Sequence, residues 1–392
     1  MPDTNPAPPA IGLVALFLKF LRFGALAFGG PVVQIAMLRD ALVMRERWID
    51  SARFNRLLAV LQVLPGPEAH ELCVHLGMVA RGRIGGLLAG LGFMLPGLLL
   101  MLLAGWAYVR FVAGMAAFAG PLLGVQIVVL AVIARAVWRI GAHVIEGPAL
   151  GLLALAAFAA TLAGGPFWIV LAAAGAVYAL IARRLVVVGI VVLAVALTLL
   201  VQPFGLRPAA LAATTPTVGL LFLAGLKGGL LTFGGAYTAI PYVRADTVGR
   251  GWIGDAAFLD GIAIAGLLPA PLVIFATFVG YVSGGLWGAL AITAGMFLPA
   301  FAFSLVFYER LEAIVAHPAL QRALTGVAAA VIGIIAATFA GLAIATAGRV
   351  TWLPIAIALF AAALLAAIRL KGTWVTPAIL VAGLLAGALL PL

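Results

Sequence analysis

FGALAFGGPVVQ, residues 23–34, sets two glycines and a proline inside a run otherwise apolar enough to enter a membrane. LLTFGGAYTAIP at 230–241 repeats the interruption about two hundred residues later. What those breaks mean depends on the solvent around them. With 66% hydrophobic residues, 9% charged residues and a mean hydropathy of +1.26, the chain cannot cover a soluble globule with polar surface. It reads as an all-α polytopic membrane protein. Apolar segments at 84–109, 116–134, 185–201 and 323–346 have roughly the length that a helix needs to span about 30 Å of hydrocarbon. None shows the polar–apolar alternation of an outer-membrane strand.

MPDTNPAPPA has no basic n-region and no small-residue cleavage site, so no removable signal peptide is expected and the first span serves as its own insertion signal. Cys73 is the sole cysteine, which excludes an internal disulfide and a multi-thiolate metal site. The formal charge of +11 sits in short arginine clusters between apolar spans. Loop topology explains that placement better than nucleic acid does, and an anionic substrate is compatible with it.

The chain aligns on itself with an offset near 205. FGG at 28–30 matches FGG at 233–235, and Arg22 falls opposite Lys227. Arg39 falls opposite Arg244, ERWID at 46–50 opposite GWIGD at 251–255, LPGP at 64–67 opposite LPAP at 268–271, and GFMLP at 92–96 opposite GMFLP at 295–299. This order predicts two homologous units, 11–201 and 218–392, joined by the proline-broken linker 202–217. The first unit offers seven hydrophobic segments (11–37, 55–80, 84–109, 116–140, 149–164, 166–182, 185–201). The second offers six (218–243, 256–282, 285–308, 323–346, 351–369, 373–391), about thirteen in all.

An odd number before the restart makes the repeat inverted. Loop charge agrees: 39–56 carries Arg39, Arg45, Arg47, Arg53 and Arg56, whereas its counterpart carries Arg244 and Arg250 with Asp246, Asp255 and Asp260. Arg81 and Arg83 would then face the wrong side if 55–80 crossed once. Reading FGGP and LPGP as tips of re-entrant hairpins removes that conflict and keeps the count odd.

Glycine allows positive φ, and proline suits the first turn of a helix, so FGGP reads as one half-helix ending and another beginning. Lipid cannot satisfy the backbone groups such a break leaves, so the break must face protein or a polar cavity. Matched breaks in two inverted units point to a transporter's binding site. Each half-helix N-terminus carries roughly +0.5 charge. Two of them with Arg22 and Lys227 would offset a doubly charged oxyanion, provided that the groups converge. Arg22 lies about 17 Å along its segment from residue 11, near mid-depth. Close glycine packing, a structural kink and snorkelling of Arg22 and Lys227 are the structural alternatives.

PGPEAHELCVH at 65–75 holds Glu68, His70, Glu71 and His75. Its histidines stand five apart and diverge by about 140° on a helix, whereas the HExxH zinc motif needs about 40°, so a metalloprotease is not expected. Glu68, His70 and Glu71 are proton-coupling candidates just after the break, with helix capping as the alternative for the two acids. Arg135, Arg139, Arg183, Arg184, Arg369 and Lys371 end apolar runs and read as topology anchors.

Taken in order, FGGP with its preceding basic residue, the ERWID-like segment, LPGP and GFMLP, all echoed downstream, resemble the chromate ion transporter family in its long two-domain form. The resemblance implies a secondary transporter exporting chromate across a bacterial inner membrane, driven by membrane potential or proton exchange. Sulfate or another small anion, or a passive anion channel, is the alternative. It implies no enzymatic activity, cofactor or metal. The expected partners are an oxyanion and lipid, with no nucleic acid, and a homodimer is left open. Carried over by motif, the substrate-binding positions are Arg22, Gly29, Gly30, Pro31, Arg39, Pro65, Gly66 and Pro67. In the second copy they are Lys227, Gly234, Gly235, Arg244, Pro269 and Pro271. Ala236 opposite Pro31 and Ala270 opposite Gly66 depart from the pattern.

Overall fold

The computed structural model of the chain describes residues 11–28, 30–61, 66–201, 214–232, 235–307, 318–370, 372 and 374–389, with backbone alone at Val32, Arg56, Ala59, Val201, Phe307, Pro318 and Ala319. Gly29, Pro65 and Gly234 lie outside the described residues. Every regular element among those described is a helix, as expected where hydrocarbon leaves the backbone no other partner. Four helices, Glu68–Val112, Ala116–Val144, Leu272–Val306 and Leu320–Ala347, are long and apolar enough to cross a membrane, and six shorter apolar helices accompany them. Outward faces carry leucine and valine, with Leu185 90% exposed.

The first copy opens with α1 (Leu13–Ala25), broken from α2 (Pro31–Arg39), which a π-turn extends over Asp40–Arg45. The chain then doubles back. Lys19 pairs with Glu46, and the Phe20 and Trp48 rings meet at 6.2 Å, so residues 46–48 have returned to the second turn of α1. Next come α3 (Ser51–Leu61) and α4 (Glu68–Ala107). α4 reverses at Arg81 and Gly82, and its arms 68–80 and 83–107 run antiparallel, with Gly77 against Gly85 and Ala89. Arg81 Nε donates to the Ile11 carbonyl (2.6 Å), which places this turn beside the start of α1. The chain has twice gone out and come back to the side on which α1 begins.

The second copy repeats this path with α9 (Val218–Leu230), α10 (Ile240–Thr247), α11 (Asp255–Leu267) and α12 (Phe275–Ala302). Its reversal at Gly284 (φ −145°, ψ 22°) and Gly285 (φ 62°, ψ −156°) reproduces Arg81 (φ −146°, ψ 30°) and Gly82 (φ 61°, ψ −157°). Glycine at the second position of each turn follows from the positive φ. Packing repeats as well. Gly24 meets the Phe93 backbone as Gly229 meets that of Met296, and Gly85 meets Leu16 as Gly288 meets Leu221.

The long arms of α4 and α12 pack on each other: Gly90 faces Phe301, and Gly86 faces Leu305 in the turn that follows α12. Position numbers fall on one arm as they rise on the other, so these equivalent helices run antiparallel. The remaining helices interleave the copies. α5 (Ala119–Val144) packs against α14 (Leu353–Arg369) and α15 (Val375–Ala388), while α13 (Pro318–Ala347) packs against α6 (Pro148–Leu162) and α7 (Phe167–Ala179). Glycines permit the closest of these approaches, Gly124 to Gly383 and Gly387, and Gly333 to Ala154. α8 (Arg184–Val201) lies on α7.

Candidate functional site

Four interruptions of helix lie in the region read as the site. After α1, Leu26 and Ala27 leave the helix, Gly30 turns at φ 81°, and Pro31 occupies the first turn of α2. After α3, Gly66 sits at φ 148° and Pro67 caps α4. After α9, Gly235 takes φ 125° ahead of the short turn Ala236–Ala239, so Ala236 in place of proline still allows a helical restart. After α11, Pro269 lies in an irregular stretch and Pro271 caps the turn Leu272–Ile274.

Two hydrogen-bonded ties bring these breaks together across the copies. Gln34 Nε2 donates to the Ala27 carbonyl (2.9 Å) and to the Ala270 carbonyl (3.1 Å). The Gly66 N–H donates to the Thr232 carbonyl (2.8 Å). By the repeat, Ala27 and Thr232 are equivalent, and so are Gly66 and Ala270. The first break is thus bound to the fourth, and the second to the third. The departure at Ala270 has a local reason: Gly66 needs positive φ and Ala270 does not. Gly97 supplies the space that the Ala270 methyl fills.

The predicted acidic cluster sits at the same place. Glu68, at the first turn of α4, is buried and within electrostatic reach of Arg139. Glu71 is fully buried, and neither carboxyl oxygen has a hydrogen-bond partner among the described residues. A Cβ on Gly66 would stand 2.5 Å from Glu71 Oε1, so this carboxyl lies directly against the broken backbone. His70 is fully buried on another face of the helix, between the rings of Phe297 (4.9 Å) and Phe301 (4.7 Å).

The four basic candidates do not share one environment. Lys227 is held by Asp246 (2.8 and 2.9 Å) and stands 4.3 Å from the centre of the Phe167 ring. Arg244 forms a bidentate pair with Asp255 (2.7 and 2.9 Å). Each cation in the second copy is therefore neutralised locally, and the expected addition of Arg22 and Lys227 charge is reduced to that of Arg22. Arg22 lies on the exposed stripe of α1 with Val14, Leu18 and Leu26, without an ion pair or hydrogen bond among the described residues. Ala41 stands where the second copy has Asp246, which explains the difference. Arg39 is exposed and rests over the Phe54 ring at 5.8 Å.

Sequence reasoning missed Gln34, although an amide in the apolar run that follows FGGP is a signal in itself. Arg139, read as a topology anchor, also lies within electrostatic reach of Glu68, and Arg135 and Arg139 lie within reach of Tyr237 beside the third break. Trp48 is buried, with its Nε1–H on Glu46 (3.0 Å). Asp260, counted among loop charges, is buried inside α11. No cluster of metal-ligating side chains occurs among the described residues.

The chromate transporter family model matches residues 14–180 and 219–388. The chain is 54% identical to a chromate transport protein of Pseudomonas aeruginosa over 92% of this chain and 88% of that one. It is 32% identical to a chromate transport protein of Cupriavidus metallidurans, covering 85% and 84%. A probable chromate transport protein of Synechococcus elongatus is 29% identical, covering 84% of each. No solved structure matches. These relatives are transporters rather than enzymes, and the apolar helices agree with a multi-pass membrane protein. By the two regions that the family model matches and the long alignment with its members, the chain belongs to the chromate transporter family.

Proposed function

We propose that this protein is a secondary carrier that exports chromate across the bacterial inner membrane, driven by membrane potential or by proton exchange. The observation that carries the reading is the pair of cross-copy ties, Gln34 to Ala27 and Ala270, and Gly66 to Thr232, which gathers four backbone breaks into one region. The relatives' printed substrate agrees with the chemistry of that region. Helix N-termini at Pro31 and Glu68 present oriented N–H groups. Arg22, exposed on α1 and without an ion pair among the described residues, is the cation assigned to the anion. Gly30, Gly66 and Pro67 with Gly235, Pro269 and Pro271 shape the breaks, Arg39, Lys227 and Arg244 line the approaches to them, and Gly29, Pro65 and Gly234 belong to the site by motif alone.

The units 11–201 and 218–392 are inverted in the membrane. Antiparallel packing of the equivalent arms of α4 and α12 supports this, because it places their pseudo-twofold axis across the helices. FGGP and LPGP are tips of re-entrant hairpins. The returns of Glu46 to Lys19 and of Arg81 to Ile11 support that reading and keep both basic loops on the cytoplasmic side. Since α5 and α13 cross into the other copy, the bodies that rock are not the two sequence halves. They are the broken-helix pairs α1–α4 and α9–α12, moving against an interleaved frame.

Glu71 carries the exchanging proton in this reading. A doubly negative oxyanion cannot share the site with an ionised Glu71, so anion arrival and carboxyl protonation are linked. Glu68, within reach of Arg139, connects Glu71 to the vestibule, and His70 fixes the arm through Phe297 and Phe301.

Chromate flux into proteoliposomes under an imposed potential or pH gradient tests the function, with sulfate as competitor. Saturable, gradient-dependent flux is expected. Gradient-independent flux faster than a carrier's would establish a channel instead, and sulfate transport without chromate transport would refute the substrate.

A further inference from the structure

A second buried carboxyl lies in the other copy, away from the breaks. Asp260 is 1% exposed. Its Oδ2 accepts a hydrogen bond from the Tyr108 hydroxyl (2.8 Å), and its Oδ1 accepts from Gln126 Nε2 (2.8 Å). The Gln126 carbonyl oxygen in turn accepts from the Arg349 guanidinium (2.7 Å). Tyr108 follows α4 and Gln126 lies on α5, both in the first copy, whereas Asp260 and Arg349 belong to the second. The network therefore clasps the copies together, and it runs from exposed Arg349 to a buried acid.

Among the described residues the first copy shows no such clasp. Position 260 falls opposite Asn55 or Arg56, neither of which is an acid. A one-sided clasp between copies is what an alternating carrier needs at one face only. A metal cation is a poor occupant, because Arg349 already supplies positive charge and occupies the Gln126 carbonyl. A proton fits. Added to Oδ2, it lets the carboxyl donate to the Tyr108 hydroxyl and reverses that bond; added to Oδ1, it sets an O–H against the Gln126 N–H, which can only donate, and weakens that bond.

Among the described residues, Asp260 bonds to Tyr108 and Gln126 and feels Arg349 through Gln126. Of the other helices packed on α11, α5 also carries Arg135, Arg139 and His143, α4 carries Glu68, His70, Glu71, His75, Arg81 and Arg83, α13 carries Arg322, α12 carries Tyr281, and α15 has no charged side chain. We propose that Asp260 is a proton-binding site whose occupancy opens and closes the Tyr108–Asp260–Gln126 clasp, coupling proton movement to the rocking of the carrier. The inference rests on the carrier reading given above.

The test separates chromate exchange at equal concentrations from chromate movement driven by a pH gradient, in proteoliposomes. Asp260→Asn keeps the shape and removes the titration. Its exchange is expected to stay within about twofold of the parent while pH-driven flux falls at least about tenfold. Tyr108→Phe leaves the carboxyl titratable but removes one bond of the clasp, so pH-driven flux is expected to fall while exchange is kept, and unchanged pH-driven flux would overturn the clasp. Full pH-driven flux in Asp260→Asn would overturn the inference, as would equal loss of both activities in a folded protein. Absence of exchange in the parent would refute the carrier reading itself. Carbodiimide mapping of the unmodified protein is independent of any variant. An adduct on Asp260 that grows as pH falls from about 8 to about 5 is expected, and an unlabelled Asp260 throughout would overturn the proposal.

Discussion

Replacing Gln34 by leucine tests the tie that joins the first break to the fourth. The side chain is 1% exposed, and one amide group donates to two carbonyls, of Ala27 and Ala270, that sit outside regular helix. Leucine fills nearly the same volume and leaves both oxygens without this donor. An unmet buried acceptor costs about 1–3 kcal/mol, giving about 2–6 kcal/mol for the pair. The Gln34 carbonyl oxygen has no partner among the described residues, and its removal returns about 1–2 kcal/mol. The net loss lies in the range of about 0–5 kcal/mol and centres on about 2.5 kcal/mol. Thermal unfolding of purified protein in detergent should register a fall of several degrees in Tm, and chromate flux should fall with it, because the tie sets the spacing of the breaks. A Gln34→Leu protein with unchanged Tm and unchanged flux would refute the claim that this amide assembles the site.

Gly66→Ala should destabilise the protein by about 2–4 kcal/mol, since alanine must adopt φ near 148° and its methyl would crowd Glu71; Ala270→Gly should cost under about 1 kcal/mol. Equal Tm shifts in the two variants would contradict the asymmetry derived for that position. Ala41→Asp places an acid where the second copy has Asp246 and should pair with Arg22, raising the KM for chromate about three- to tenfold without loss of fold. An unchanged KM would remove Arg22 from the site, as would wild-type flux in Arg22→Ala. Glu71→Gln should retain potential-driven flux and lose its dependence on a pH gradient, measured in the same vesicles; retained pH-driven flux would exclude Glu71 as the proton carrier.

The broken segments were legible because hydrocarbon makes an interrupted helix conspicuous: FGGP, LPGP and their echoes fall at the observed ends of α1, α3, α9 and α11. The reversals inside 68–107 and 275–302 fall where hydropathy divides 55–80 from 84–109 and 256–282 from 285–308. What could not be read was pairing across the copies. Self-alignment places Arg22 opposite Lys227, but it cannot show that Asp246 and Phe167 claim the lysine while Ala41 leaves the arginine without an acid. Nor does hydropathy reveal that α5 and α13 exchange neighbours, since apolar helices with small residues can pack against many partners. Asp260 and Arg139 were assigned to loops and anchors because charge near a segment end looks the same whether it meets water or a buried partner.

The central claim is that the two copies are inverted about a shared site, and accessibility of single cysteines tests it most directly. In a Cys73→Ala background, Met44→Cys and Gly249→Cys mark equivalent positions of the two copies. In sealed vesicles of known orientation, a membrane-impermeant thiol reagent is predicted to label them from opposite faces, Met44→Cys from the cytoplasmic side. Labelling of both from the same face would contradict the inverted arrangement and the carrier built upon it.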